Sequence, residues 1–278
     1  MEKERFYEEV DSYISRLKTD FLAFQDLIWN GLVALTDICE KNQIPYQLAY
    51  GSLLGVIRDK GQIPWYYDID VFVEYKYRKS LISALKNDLP SSYYVDSLET
   101  NTNCDSYKIR IVPQQYDAMD AHIDIFLVVP APESDSLYEK VGKKMILYSK
   151  IRRYKTGNEN KYGKNSRLTQ LDNFMHMILY KLIPLSVVDL LYDKTVRKSL
   201  EINSNYYMLS DRWALIDKIP KKFFVDTTKI SIRGHDFVIP CDYEEMLERS
   251  YKDYTLIYPI SHRFEEWYAS CKRLKIVN

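Results

Sequence analysis

Apolar residues recur along the N-terminal part of the chain with the periodicity of one helix face. Spacings of three, four or seven residues separate Leu17, Phe21, Phe24, Ile28, Leu35 and Ile38. This stripe predicts one long helix over residues 4–42, which Pro45 prevents from continuing. A stripe of this length needs a protein surface to cover it, so we expect the helix to pack on a core or at an interface.

Beyond Pro45, short strand-like runs alternate with short helical ones. Runs rich in β-branched and aromatic residues predict strands over residues 46–50, 68–74, 93–97, 107–112 and 122–129. A helical turn is expected over 51–58 and a helix over 75–85, and Gly61 with Pro64 indicates a turn before the second strand. This alternation is typical of an α/β fold with a small mixed sheet.

The second half of the chain is mostly helical in pattern. It has a clear helical segment over 171–182 and a β-like interval over 229–239, and the polar stretch 157–164 marks a soft boundary. We therefore predict an α/β (α+β) protein in two parts. Residues 1–156 form a mixed α/β part that includes the N-terminal helix, and residues 157–278 form a mostly helical part.

Charge and cysteine content exclude several classes of protein. The 39 Lys and Arg residues equal the 39 Asp and Glu residues, whereas a generic polyanion binder needs a basic surplus. We therefore expect no nucleic acid polymer as a partner. The cysteines lie far apart, which excludes a C-x-x-C zinc pattern and a disulfide framework. They are Cys39, Cys104, Cys241 and Cys271.

The pattern shows neither a signal peptide nor a membrane span. Residues 1–15 are rich in charge ahead of any apolar run, unlike a signal peptide. The most apolar stretch, 177–192, is interrupted by Lys181, Pro184 and Asp189 and falls short of the ~20 apolar residues that a span needs. We therefore expect a soluble, reduced, cytoplasmic protein without a transmembrane segment.

Three aspartates carry the candidate chemistry. Asp68 and Asp70 are two residues apart on one predicted strand, so both point to the same sheet face, roughly 7 Å apart at Cα. Asp124 stands in another predicted strand with the same alternation of polar and apolar residues, and we expect it within a few ångströms of the pair. A bare D-x-D is more often a solvated strand face. Three carboxylates on one face, however, suit Mg²⁺ bound together with substrate phosphates.

The pair Gly51-Ser52 precedes this strand and opens the predicted helical turn. A helix N-terminus offers unpaired N–H groups and partial positive charge to a phosphate, Gly51 allows close backbone approach, and Ser52 can donate its hydroxyl. Alone, such a pair is usually an N-cap. Together with the D-x-D and a third aspartate on another strand, it resembles the signature of the nucleotidyltransferase superfamily.

A longer match sharpens this resemblance. The run from Ile38 to Val73 is similar to the LicD family of phosphotransferases, relatives of fukutin and fukutin-related protein, whose pattern reads G-[ST]-L-L-G-x-x-R, then G-x-I-P-W and D-D-D-I-D. The segment 122–126 resembles the family's I-D-I-F, and 234–254 resembles its G-x-x-x-x-I-P…Y-G-D-Y tail. The matching residues of the long run are Gly51, Leu53, Leu54, Gly55, Arg58, Gly61, Ile63, Pro64, Trp65, Asp68, Ile69 and Asp70.

The resemblance implies a nucleotidyltransferase-like fold whose C-terminal half completes the substrate cleft. It implies that Asp68, Asp70 and Asp124 are catalytic and hold Mg²⁺, with Mn²⁺ as the alternative ion. Two basic residues alternate on the strand 107–112 and face one way, which suits phosphate but also fits a charged edge strand. The residues expected to bind donor phosphates are Gly51, Ser52, Arg58, Lys108 and Arg110.

The activity that the resemblance implies is transfer of a phospho-alcohol, most characteristically phosphocholine, from a CDP-activated donor to a hydroxyl of a cell-surface glycan precursor. Expected partners are a CDP-alcohol and a sugar or lipid-linked glycan (lipopolysaccharide, teichoic acid or capsule), reached by peripheral contact at the inner face of the membrane. Two alternatives stay open: a true nucleotidyltransferase that releases pyrophosphate, and a catalytically degenerate relative that acts as a binding protein.

Four positions depart from the family pattern. Tyr66 and Tyr67 replace two aspartates, Asp59 stands where the family often has His, and Lys252 replaces the glycine of Y-G-D-Y. The metal pair of the superfamily aligns with the D-x-D that this chain retains. We therefore expect metal binding to survive and the departures to affect the substrate.

Overall fold

The computed structural model describes four stretches of the chain, residues 2–118, 120–156, 182–257 and 259–276. Within them the protein has a mixed α/β fold, with a sheet of parallel and antiparallel strands, covering helices and a separate two-stranded hairpin. The predicted fold class is confirmed. The predicted boundary stretch 157–164 and nearly all of the predicted helix 171–182 lie outside the described residues.

The first helix, α1, spans Glu2–Lys41. All six residues of the predicted apolar stripe are buried, and a Cβ on Gly31 would lie 2.9 Å from Cδ1 of Ile123, so the helix packs directly on the sheet. By length and composition, Ser15–Lys41 could also cross a membrane, but more than half of its apolar window is buried and a core helix passes the same test. The apolar stripe of α1 therefore forms part of the hydrophobic core.

The strands of the described residues form two sheets. The main sheet has the order β1-β2-β5-β4-β3, and β6 pairs with β5 and β7. The pairing of β2 with β5 is parallel, whereas the others are antiparallel. The bounds are β1 Tyr46–Leu48, β2 Ile69–Glu74, β3 Tyr93–Asp96, β4 Ile109–Pro113, β5 Ile123–Pro130, β6 Tyr206–Leu209, β7 Ile219–Pro220, β8 Thr227–Ile232 and β9 His235–Pro240.

Further helices follow α1. They are α2 Tyr50–Leu54, α3 Arg78–Asp88, α4 Asp135–Lys155, α5 Leu185–Leu200, α6 Lys222–Val225, α7 Tyr243–Tyr251 and α8 Ile260–Arg273. A 3₁₀ turn over Tyr75–Tyr77 precedes α3, so the predicted helix 75–85 begins and ends later than its pattern indicates. The β-like interval 229–239 is the β8–β9 hairpin, whose loop residues Arg233 and Gly234 both have positive φ.

Two strands of the second half join the main sheet, which the helical pattern did not predict. β6 pairs with the end of β5, and β7 pairs with β6. They have only four and two residues, too few to show an alternating period. Through β6, residues from the second half reach the same sheet as the predicted aspartates.

The central strands present two chemically different faces. In β2, Ile69 and Val71 flank Asp70, and in β5, Ile123 precedes Asp124. Because Ile123 meets α1, the apolar face is turned to that helix. Strand alternation then places both aspartates on the opposite face.

The turn between β1 and β2 is held by close backbone contacts. After α2 the chain makes one π-helical turn over Gly55–Asp59, a feature frequent at functional sites. A Cβ on Gly55 would lie 2.5 Å from the carbonyl oxygen of Gly61, so this approach requires glycine. The N–H of Asp70 donates to Ser52 Oγ at 2.7 Å, which ties α2 to β2.

Lys252, which stands where the resembled pattern has glycine, ends α7 with φ 58° and ψ −110°. A side chain is strained in this region by about 1–3 kcal/mol, whereas glycine adopts it freely. We expect Lys252→Gly to raise the free energy of unfolding by about 1 kcal/mol, measured by urea denaturation. The matched control, Lys194→Gly on the exposed side of α5, should lower it by about 1 kcal/mol. A loss at position 252 as well would contradict the strain.

Candidate active site

A row of charged residues crosses four strands of the main sheet. Register pairs Asp70 of β2 with Asp124 of β5. Asp124 in turn pairs with Arg110 of β4, and Arg110 with Asp96 of β3. Neighbouring strands lie about 4.8 Å apart, so Asp124 is directly beside Asp70 and Arg110 is about 10 Å from Asp70 at the backbone. The acids that are distant in sequence are therefore neighbours in the sheet.

A cavity of about 270 Å³ lies against this row. Five of the predicted site residues line it, namely Asp68, Asp70, Asp124, Lys108 and Arg110. The other polar and charged residues of its wall are Asp105, His122, Arg153, Arg212 and Arg273. Aromatic and apolar side chains complete it: Tyr50, Tyr67, Phe126, Leu209, Trp213 and Ile216.

Asp124 is buried and surrounded by positive charge. Its Oδ2 accepts an ion-paired hydrogen bond from Lys108 Nζ, and Arg110 Nε and His122 Nε2 each lie 3.4 Å from Oδ1. Burial by itself raises the pKa of this carboxyl, but the charges of Lys108, His122 and Arg110 hold the pKa well below its usual range. Oδ1 makes no hydrogen bond with the described residues, so one buried oxygen still lacks a donor or a cation.

Asp68 and Asp70 are compensated less than Asp124, although the charges of His122 and Arg273 act on Asp68 and that of Lys108 acts on Asp70. Within the part of the chain that the structure describes, neither carboxylate makes an ion pair or a side-chain hydrogen bond. Burial and the charges of Asp68 and Asp124 raise the pKa of Asp70 well above its usual range. Burial also raises the pKa of Asp68, against the opposing effect of His122. Carboxylates that repel each other in one cavity form a place that a cation would neutralise.

The donor set satisfies the minimum that a hard divalent cation needs. In the described stretches, no three His, Cys, Asp or Glu side chains are grouped closely enough to hold an ion alone. Mg²⁺, however, binds through one or two carboxylates and completes its shell with water and substrate phosphates. Asp68 and Asp70 meet this requirement, whereas Asp124 is engaged by Lys108. A metal site made of all three acids therefore stays a prediction.

Gly51 and Ser52 do not line the large cavity; with Asp68 they border a much smaller void. The N–H of Ser52 donates to the Ala49 carbonyl at 2.9 Å, so this amide is already engaged within the turn. An ideal Cβ on Gly51 would lie 3.6 Å from the Tyr66 ring. The structure thus places the pair as a support for the β2 strand rather than in the cavity wall.

Arg58 is also engaged elsewhere. Its Nη2 lies 2.8 Å from Asp59 Oδ2, and its Nη1 donates to the Leu256 carbonyl at 3.3 Å. The guanidinium carbon lies 5.8 Å from the centre of the Trp65 ring. Arg58 therefore joins the turn to the C-terminal segment, and it does not line the cavity.

Three arginines that the sequence analysis missed reach the cavity. Arg153 comes from α4, Arg212 follows β6, and Arg273 is the last residue of α8. The Arg273 guanidinium carbon lies 4.6 Å from the centre of the Tyr67 ring, so the wall at this position is aromatic and backed by a cation. No local pattern separates these arginines from those of an ordinary charged surface.

The sheet is small and mixed, and its two parallel central strands carry acids at adjacent positions. The opposite face is apolar and covered by a helix. This arrangement is typical of a domain of nucleotidyltransferase type. Residues 43–149 match the family model described as LicD/FKTN/FKRP, nucleotidyltransferase domain. Over these residues the chain is similar to the LicD family, in agreement with the resemblance found in the sequence. The match covers less than half of the chain and contains Asp68, Asp70 and Asp124.

One characterised relative is similar over a short segment. Thirty-six residues are 53% identical to the lipopolysaccharide cholinephosphotransferase LicD of Haemophilus influenzae, which is 13% of this chain and 14% of that protein. The family indicates a transferase. Because the match spans about one-seventh of the relative, it does not identify the donor or the acceptor of this chain.

Proposed function

We propose that this protein transfers a phospho-alcohol, in the first place phosphocholine, from a CDP-activated donor to a hydroxyl of a cell-surface glycan precursor. The observation that carries the proposal is the cavity in which Asp68 and Asp70, without side-chain partners, face a cationic wall inside a LicD-type domain. The name of the Haemophilus influenzae relative supports phosphocholine as the group and lipopolysaccharide as the acceptor.

Asp68 and Asp70 are the residues that would hold the divalent ion, Mg²⁺ or Mn²⁺. When bound, such an ion neutralises charge on the donor diphosphate and on the departing phosphate. Asp124 lies beside Asp70 in register and keeps one oxygen without a hydrogen bond. It could complete the ligand set or accept the proton of the attacking hydroxyl, although the positive charges that hold its pKa low make it a weak base.

The proposed reaction breaks the bond between the phosphorus that carries the alcohol and the bridging oxygen, which leaves with CMP. The acceptor oxygen attacks this phosphorus, and its proton passes to a carboxylate. Lys108 fixes one oxygen of Asp124 and thereby orients the other. Arg110, held by Asp105 at 2.7 Å, contributes fixed positive charge near the departing phosphate.

Exposed side chains of the cavity wall suit a sugar acceptor. Trp213 is 41% exposed and Ile216 is 58% exposed, although both line the cavity. An exposed indole next to polar groups offers an apolar face with a polar edge. We assign the acceptor sugar to the side of the cavity formed by Trp213 and Ile216. A lipid-linked acceptor would bring the protein into peripheral contact with the inner face of the membrane.

A true nucleotidyltransferase is the second candidate, because the same acids serve either reaction. Attack would then fall on the α-phosphorus of a nucleoside triphosphate, and pyrophosphate would leave. A binding protein without catalysis is the third, motivated by Tyr66 and Tyr67 in place of the family's aspartates. The retained acids at partner positions of β2 and β5 favour an enzyme.

We expect the protein, incubated with Mg²⁺, CDP-choline and a lipopolysaccharide precursor, to release CMP in an amount equal to the phosphocholine incorporated. Nucleotide chromatography and mass spectrometry of the glycan measure the two products, and EDTA should abolish both. CDP-ribitol, CDP-glycerol and CDP-ethanolamine, tested in parallel, identify the alcohol. Pyrophosphate from CTP or ATP, with no CMP from any CDP-alcohol, would favour the second candidate.

A further inference from the structure

Four basic residues of the cavity wall fall into two groups. Lys108 is paired with Asp124, and Arg110 is paired with Asp105 at 2.7 Å. Arg153 and Arg212 form the other group. The second pair has one acid within ion-pair distance among the described residues, Asp105, which Arg110 also engages.

Arg153 shares its acid with Arg110. Its Nε lies 3.6 Å from Asp105 Oδ2, while Oδ1 of the same carboxylate accepts a hydrogen bond from Arg110. The Nε–H of Arg153 is buried and makes no hydrogen bond with any residue that the structure describes. A buried donor without an acceptor costs free energy. The Nε–H of Arg153 can therefore donate a hydrogen bond to an acceptor atom of a bound ligand.

Arg212 has no acid within ion-pair distance in the described part of the chain. Its guanidinium carbon lies 4.8 Å from the centre of the Trp213 ring. Burial and the charge of Arg153 lower the pKa of Arg212 more than the charges of Asp211 and Asp124 raise it. Two guanidinium groups that repel each other beside a cavity are stabilised by an anion bound between them.

These two arginines lie away from the Asp68–Asp70 end of the cavity. Arg153 contacts Asp105, the partner of Arg110, and Arg110 is two strands, or about 10 Å, from Asp70. The cavity thus has an acidic end and a cationic end, separated by paired residues.

We infer that Arg153 and Arg212 form an anion subsite, which binds a phosphate or carboxylate substituent of the acceptor sugar. The inference rests on the proposed function, in which the donor diphosphate occupies the acidic end of the cavity. Planar guanidinium groups bind both kinds of anion through paired N–H donors. Trp213, in contact with Arg212, gives the sugar ring a stacking face. The acceptor is therefore an anionic sugar rather than a neutral one.

Binding of small sugars without donor or divalent ion tests the subsite separately from transfer. The probes are glucose 6-phosphate, glucuronate and glucose, measured by isothermal titration calorimetry. The protein should bind at least one anionic probe more tightly than glucose, and less tightly as salt increases. Arg212→Gln and Arg153→Gln should each weaken this binding about 10- to 100-fold, and Arg212→Lys should weaken it less. Because the two arginines repel each other, Arg212→Gln should not lower the unfolding temperature.

Arg197→Gln is the matched control for the loss of one positive charge, since Arg197 is exposed and pairs with Asp193 on α5. This variant should bind the anionic probes like the wild type, and Asp70→Asn, which removes an acid from the same cavity, should not weaken their binding. Equal binding of the anionic probes by the wild type and by Arg212→Gln would overturn the subsite. A loss of probe binding that is confined to Asp70→Asn would also overturn it. So would CMP binding that depends on Arg212 when neither sugar anion binds, because the site would then belong to the nucleotide. Failure of the proposed function is a separate result, in which no CDP-alcohol yields CMP.

Discussion

Asp70→Asn is expected to lower the rate of phospho-alcohol transfer by about 1,000-fold or more, with no loss of stability. The rate falls because the variant loses one of the two carboxylates proposed to hold the ion, whose charge stabilisation lowers the barrier by several kcal/mol. Stability persists because the Asp70 carboxylate lacks a side-chain partner and is repelled by Asp68 and Asp124. Asparagine keeps the shape and removes the repulsion.

Single-turnover release of CMP at limiting Mg²⁺, together with the melting temperature, measures both effects. Asp68→Asn should behave like Asp70→Asn. Asp124→Asn should differ, since it leaves Lys108 buried without its partner, and both activity and stability should fall. Asp193→Asn, on the surface of α5, is the control and should change neither.

Two outcomes would contradict this expectation. Wild-type turnover by Asp70→Asn at limiting Mg²⁺ would show that the acid does not hold the ion. A loss of activity that matches a loss of folded protein would instead assign Asp70 a role in stability.

The strands that carry the acids could be predicted because their signal is local. Residues 68–71 and 122–125 alternate polar with apolar side chains, and a period of two fixes which side chains share a face. Since Ile69 and Ile123 are buried, Asp70 and Asp124 face the other way. The parallel register that sets these acids side by side depends on the chain between the two strands, and no local pattern encodes it.

Three arginines of the cavity wall could not be predicted in this way. Arg153, Arg212 and Arg273 come from α4, the segment after β6 and α8, and each stands among other charged residues of its segment. Short strands added to the difficulty, because β6, which leads the chain to Arg212, has only four residues. Only tertiary packing shows that these three arginines line one cavity.

For the motif residues before β2, the sequence predicted the position but not the role of their polar atoms. Their pattern located the turn correctly, but their polar atoms are used within the protein. Ser52 accepts the N–H of Asp70, and Arg58 pairs with Asp59. A motif therefore shows where a site is built, whereas packing decides which polar atoms remain for a ligand.

Arg152→Met is expected to lower the free energy of unfolding by about 3–5 kcal/mol. The side chain is 1% exposed, and its guanidinium lies 2.8 Å from Asp189 on α5. It also donates to the carbonyl oxygens of Cys104 at 2.7 Å and Thr102 at 2.8 Å, in the loop between β3 and β4. Methionine fills similar space but leaves these acceptors without donors, and the loop is no longer tied to α5.

Urea denaturation measures this loss, and Arg197→Met is the matched control, because it breaks an exposed Arg–Asp pair on α5 at a cost under about 0.5 kcal/mol. The double variant Arg152→Met/Asp189→Asn should recover part of the loss, since it removes the charge left without its cation, while the amide oxygen can still accept from the Tyr107 hydroxyl, which donates to Asp189 at 2.9 Å. A loss no larger than that of the control would mean that water satisfies the freed acceptors. Since Arg153 follows Arg152 on α4 and lines the cavity, we expect Arg152→Met to weaken binding of the anionic sugar probes as well.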